Sequence, residues 1–217
     1  ANPKTIVVLI SSFPYAINWT YANVPAILHM SQNSQEEGNA LADVLFGDYN
    51  PAGRLVQTWP RSIEQLPPLM DYDIRHGRTY MYFKGEPLFP FGYGLSYTTF
   101  KYSKLRASST SLSSDGEIKV SVEVKNTGTR SGDEVVQMYA THLNSVVERP
   151  KSELKGFKRV ALKPGEAAVV TLALKADQLA YWDVTKHRFV VEPDRVRISI
   201  GSSSADLKLS TTVRVSE

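Results

Sequence analysis

The stretch Glu117–Asn126, EIKVSVEVKN, decides the second half of this chain. Ile118, Val120, Val122 and Val124 alternate with Lys119, Ser121, Glu123 and Lys125. Successive side chains of a strand point to opposite faces, so one face here is apolar and the other charged. Asn126-Thr127-Gly128 follows as a turn signal. EVVQMYA (134–140), ELKGFKRVAL (153–162), AAVVTLAL (167–174), RFVVE (188–192), RVRISIG (195–201) and LKLSTTVRV (207–215) come next, with another turn at Lys163–Glu166. Several short strands at a regular spacing of roughly 8–12 residues predict an immunoglobulin-like β-sandwich over residues 102–217.

Upstream the period changes. TIVVLIS (5–11) and PAILHM (25–30) are short continuous apolar runs, as expected of strands covered on both faces. SQEEGNALADVLFG (34–47) then reads as a helix. Ser34 and Glu37 predict a capping box, and Ala40, Leu41, Val44 and Leu45 share one helical face. Gly47 stands at the C-cap and Pro51 follows as a stop. RLVQTWP (54–60) predicts a further short strand. Two or three parallel strands are too few for a parallel α/β layer, so residues 1–65 are expected to be the end of an α/β domain whose other strands lie upstream. Residues 66–101 are rich in Pro, Gly and aromatics, too aromatic for a floppy linker. They are expected to lie pressed along a protein surface.

The 217 residues have room for one large domain or two modest ones, and 42% hydrophobic with 22% charged residues is ordinary for a globular chain. The net charge of +3 is spread out, with no Lys/Arg block of the kind that marks a nucleic-acid footprint. There is no cysteine, which excludes disulfides and thiolate metal sites. No apolar run approaches the roughly 18 residues of a membrane span. The chain lacks an initiator Met and enters a buried-type strand within about five residues, as if cut from something longer.

Paired carboxylates at Glu36 and Glu37 invite a glycosidase reading. Neighbours on a helix point about 100° apart and cannot flank one bond, so a role in the helix start is expected instead. His29, His76, His142 and His187 show no i, i+4 pair, and no metal site is predicted; His29 is expected at a hydrogen-bonded core position. Arg78 is expected to form a buried lock with Asp73, Glu36 or Glu37. Tyr80, Tyr82, Phe83, Phe89, Phe91, Tyr93 and Tyr97 are read as packing anchors, not as a sugar platform. Trp19, Trp59 and Trp182 are read as core or interface, with Tyr181 and Trp182 buried by a sandwich strand. No GxSxG elbow supports a Ser/His/Asp hydrolase.

Several stretches, in order, resemble the C-terminal portion of glycoside hydrolase family 3, the β-glucosidases and β-xylosidases. SQEEGNALADVLFGDYNPAGRLVQTWP (34–60) resembles the end of the family's α/β sandwich domain, and GRTYMYF (77–83) with PLFPFGYGLSYTTF (87–100) its connecting signature. GDEVVQMYA (132–140), RPKSELKGFKRVALKPGE (149–166) and VVEPDRVRISIGSSSADLKL (190–209) resemble its fibronectin type III-like domain. Ser34 and Asp194 replace glycines common in the family; GRTYMYF leans toward the β-xylosidase branch. The resemblance implies exo-hydrolysis of terminal β-D-glucosyl or β-D-xylosyl residues with retention, by two carboxylates about 5–5.5 Å apart. It places the nucleophilic Asp on an N-terminal (β/α)8 barrel and the acid/base Glu on an earlier loop, both upstream of Ala1. No catalytic or metal-binding residue is therefore expected in this chain, and no substrate-binding residue is identified. The resemblance implies no organic cofactor and a secreted or periplasmic location, and the charge and apolar patterns above predict no nucleic-acid or membrane partner. Its implied partners are the barrel, the first part of the α/β domain and, through them, a β-glycoside substrate. Alone, the chain is expected to be inactive. A rival reading is a non-catalytic carbohydrate-binding or structural sandwich module; its carbohydrate-binding form calls for an outward row of aromatics, which the strands lack.

Overall fold

The computed structural model describes residues 2–32 and 34–216. They form two compact units: residues up to Asn50 with Leu55–Phe91, and Pro51–Arg54 with Gly92 onward.

In the first unit, strands β1 (Ile6–Ile10) and β2 (Ala26–Met30) pair in parallel, from Ile6 opposite Ala26 to Ile10 opposite Met30. Helix α1 (Asn18–Asn23) joins them and helix α2 (Glu37–Phe46) follows. Although apolar runs of this kind are expected to be covered on both faces, every residue of both strands is half-buried or exposed. No residue of α2 is buried either, and Phe46 at its end is 84% exposed. Gly47 takes the left-handed C-cap at φ 83°, as its sequence position predicts. The Ser34–Glu37 capping box does not form. The helix begins at Glu37 with Glu36 as N-cap, and Glu36 makes no side-chain capping bond. Ser34 sits in the left-handed region at φ 74°, whereas an N-cap residue needs extended backbone.

The strand predicted at 54–60 reduces to a single bridge between Trp59 and Phe89. The Trp59 amide donates to the Phe89 carbonyl at 2.9 Å, and the Leu88 amide donates to the Trp59 carbonyl at 2.8 Å. Pro60 and Pro90 come next on the two sides and offer no N–H, so the ladder stops. Trp59 is only 2% exposed and lies edge-on to His29 and Phe89 at 5.0 and 6.0 Å. A one-turn helix, α3 (Thr79–Tyr82), carries Tyr80, which stacks on Phe91 at 4.3 Å. Phe83 and Leu88 are buried, whereas Tyr97 is exposed.

The second unit is the expected β-sandwich. One sheet is ordered β3 (Phe100–Ala107), β5 (Glu117–Asn126), β8 (Ala167–Lys175). The other runs β4 (Ser111–Ser113), β12 (Leu207–Ser216), β11 (Asp194–Gly201), β6 (Gly132–His142), β7 (Glu153–Leu162). Ile118, Val120, Val122 and Val124 of β5 face Val136, Met138, Val196, Ile198 and Val213 in one fully buried core. Strands β3 and β4 escape the sequence pattern for local reasons. A register shift between Ser103 and Arg106, with Lys104 at φ 54°, breaks the alternation of β3, and β4 has three residues.

Of RFVVE only Arg188–Val190 (β10) is strand, pairing with β9 (Tyr181–Asp183) in a separate hairpin. That hairpin joins neither main sheet, which is why Trp182 is 50% exposed instead of buried, edge-on to Phe189 at 5.2 Å. A buried Asn126 ties the turns together at one end. Its Nδ2 donates to the Arg130 and Leu162 carbonyls at 2.7 and 3.0 Å, and its Oδ1 accepts from Thr98 Oγ1 and the Gly128 amide.

Candidate functional site

The densest polar cluster sits where β6 ends and β11 begins. His142 pairs with Val196 in the ladder, which brings Asp194, two residues earlier on β11, beside the His142 ring. His142 Nδ1 lies 2.9 Å from Asp194 Oδ2, both side chains almost wholly enclosed. Asp194 Oδ1 accepts from the Asn144 and Arg195 amides at 2.8 and 2.6 Å. Glu192 accepts from Ser145 Oγ at 2.5 Å, the Val146 amide at 3.1 Å and Arg149 Nη2 at 3.0 Å. Arg149 also donates to the Leu179 carbonyl and stacks over the Tyr181 ring at 4.9 Å.

Burial alone would raise the Glu192 pKa, but Ser145, Val146 and Arg149 together hold it below the ordinary value. Burial pushes His142 down, the Arg149 charge adds to that, and the Asp194 contact opposes it. His142, Glu192 and Asp194 bring ligand atoms within 4.8 Å of one another, so a metal ion is a fair question. The donor set answers it poorly: both Asp194 oxygens are already engaged, and Arg149 already neutralises Glu192. What the cluster does is fasten the loop 143–149 to the end of the sheet.

Glu134 is the other enclosed carboxylate. Burial raises its pKa, in the direction of a general acid, against the pull of Arg54 Nη2 at 3.3 Å. Glu134 nevertheless packs inside the sandwich between Arg54 and Tyr102, whose hydroxyl burial and Glu134 push far up. Its pairing with Arg54 holds Pro51–Arg54 to the rest of the second unit.

The residues singled out from sequence are dispersed. Glu36 accepts from Asn39 Nδ2 at 2.6 Å within its own helix turn. His29 is hydrogen-bonded, with Nε2 3.2 Å from Ser11 Oγ, yet exposed and not in a core, because the strand it sits on lacks a covering layer. His76 Nδ1 meets Asp71 Oδ2 at 2.7 Å. Among the described residues, Arg78 forms no ion pair with a carboxylate. Its guanidinium donates to the Asp71, Pro68 and Leu69 carbonyls at 2.6, 2.7 and 3.2 Å, because Asp73 is already taken by Arg75. It clasps a loop, and the predicted ion lock is replaced by carbonyls. Neither buried cluster was foreseen: Arg149 and Glu192 are 43 residues apart and Arg54 and Glu134 80, distances that leave no local pattern.

Residues 1–97 match the glycosyl hydrolase family 3 C-terminal domain, and residues 134–204 match the fibronectin type III-like domain. The chain belongs to the C-terminal part of glycoside hydrolase family 3. It is 44% identical over 216 residues to a β-xylosidase of Formosa agariphila, covering 96% of this chain and 30% of that protein. It is 40% identical to a periplasmic β-glucosidase of Salmonella typhimurium, over 94% of this chain and 28% of the relative. Among crystal structures, β-D-glucoside glucohydrolase of Trichoderma reesei superposes on the whole chain with a TM-score of 0.91 at 33% identity, using 34% of its own length. The β-glucosidase of Kluyveromyces marxianus with glucose also gives 0.91, at 35% identity and 27% of its length. The chain thus spans between 24% and 30% of the length of the curated relatives it matches.

Proposed function

We propose that this chain serves as the C-terminal portion of a retaining, exo-acting β-glycosidase that releases terminal β-D-glucosyl or β-D-xylosyl residues. The observation that supports it is the order of the two family matches, together spanning a chain about 30% as long as its β-xylosidase relative. The nucleophilic Asp and acid/base Glu would come from upstream segments of the same polypeptide, a (β/α)8 barrel and the first part of the α/β domain. Residues 1–65 would complete that α/β domain, 66–101 would connect it to the sandwich, and 102–217 would form the fibronectin type III-like domain. No organic cofactor is needed for this chemistry. Export follows the example of the relative described as periplasmic.

Turnover of aryl β-glucoside and aryl β-xyloside tests the assignment, comparing residues 1–217 with the same chain preceded by its genomic upstream sequence. The short form should be inactive and the long form active on at least one of the two. Turnover by residues 1–217 alone, or none by the long form on either substrate, would overturn it.

A further inference from the structure

The outer face of the five-stranded sheet changes character along its length. At one end it is closed over: Gln137 Nε2 donates to the Gly92 and Ser202 carbonyls at 3.1 and 2.6 Å, and Tyr139 beside it is fully buried. At the other end β11 and β12 are open and present Arg195, Arg197 and Arg214, all exposed. Arg195 lies directly opposite Arg214 in the ladder, and Arg197 is opposite Thr212 on one side and Thr141 on the other.

Directly opposed residues share a face with Cβ atoms about 4.5–5.5 Å apart, and diagonal neighbours are about 7–8 Å apart. Three guanidiniums are therefore crowded on one patch. Among the described residues no carboxylate lies within ion-pair distance of any of them. Like charges directly opposite one another destabilise a sheet. The fold does not ask for them, since the inward residues Val196, Ile198, Val213 and Val215 hold these strands. An anion would relieve the repulsion.

The same face carries a groove of about 420 Å³ that includes Arg197. Its walls bring the hydroxyls of Thr141, Ser152, Ser199 and Ser210, flanked by Lys151 and by Lys208, which pairs with Asp206 at 2.6 Å. Hydroxyls both donate and accept, as sugar hydroxyls do, and the guanidinium fork matches a carboxylate with two parallel bonds. No lining residue is aromatic, so neither a nucleic-acid base nor a neutral sugar ring has a surface to stack on, and recognition here falls to charge and hydroxyl contacts.

We propose that this open face binds an acidic carbohydrate, a glycan bearing uronic-acid carboxylates. The carboxylates engage Arg195, Arg197 and Arg214, and neighbouring sugar hydroxyls enter the serine- and threonine-lined groove. The choice of a glycan rests on the glycosidase function proposed above; capture of a multivalent anion does not. Affinity gel electrophoresis of the 217-residue chain against polygalacturonate, neutral xylan and polyphosphate provides the test. Polygalacturonate should retard the chain strongly, less so as salt rises, with xylan inert and polyphosphate weaker. R195S/R197S/R214S should lose affinity about tenfold or more, as expected when charge-assisted pairs are removed, while melting no lower than the parent because the repulsion is gone. Charge reversal R197E gives an independent check and should abolish retardation. No retardation by polygalacturonate, or retardation unchanged in either variant, overturns the site; equal retardation by polyphosphate overturns its assignment to a glycan. No turnover is measured, so failure here leaves the glycosidase assignment standing, and loss of that assignment leaves the anion result readable.

Discussion

At Arg149 and Glu192 the enclosed charges stand or fall together. Removing Arg149 alone leaves a buried carboxylate without its counter-ion, and breaking such a pair costs about 3–5 kcal/mol. Urea unfolding of R149A, followed on the sandwich transition, should show a loss of that order, whereas R149M/E192M should cost distinctly less. Equal losses in the two variants would mean that packing, not charge, sets the cost. His142 adds a pH dependence of definite sign. Its pKa is lowered in the folded chain, chiefly by burial, so below about 6.5 the unfolded chain takes up a proton that the native ring refuses. Stability present above that pH is lost as pH falls toward the folded pKa. H142Q, which cannot titrate, should flatten the slope of melting temperature against pH in this window; an unchanged slope would clear His142 of the effect.

At the scale of elements, the sandwich strands were legible because each repeats one rule many times: Val120, Val122 and Val124 must be inward, and they are fully buried. What stayed hidden depends on single residues or distant partners. Lys104 at positive φ interrupts β3, and Ser34 at positive φ removes the capping box, and neither residue type announces that conformation. Arg78 finds carbonyls because Arg75 reaches Asp73 first, a competition that no spacing rule records. Gly92 shows a backbone demand that sequence marks only as a glycine. It holds φ 81°, and a Cβ there would stand 2.2 Å from Gln137 Oε1. Gly92→Ala should therefore cost about 1–3 kcal/mol from backbone conformation, with the displaced Gln137 adding to it. Loss of the Tyr139–Gln137 hydrogen bond, seen by NMR as a shifted hydroxyl environment, would accompany it.

Across the whole molecule, burial is unevenly shared between the two units. The sandwich encloses a continuous apolar core, from Leu112 and Val120 to Ile198 and Val215. In the first unit, the buried apolar side chains are, among the described residues, those of Trp59, Pro60, Phe83 and Leu88. Phe13, Trp19, Phe46 and Met70 there are each more than two-thirds exposed. Amides open with free energies that follow such local burial, from near zero at weakly packed segments up to the global value in a core. In hydrogen exchange on residues 1–217, β5, β6 and β11 should therefore be the slowest, with β1, β2 and α2 exchanging orders of magnitude sooner. Exposed rings on this scale should also bind a hydrophobic dye. If the first unit normally completes an α/β layer, preceding it with its genomic upstream sequence should slow exchange in β1, β2 and α2 and suppress dye binding, while β5, β6 and β11 stay as they were. Equal protection of both units in the 217-residue chain would show instead that the first unit is self-sufficient, and the case for a missing covering layer would fail with it.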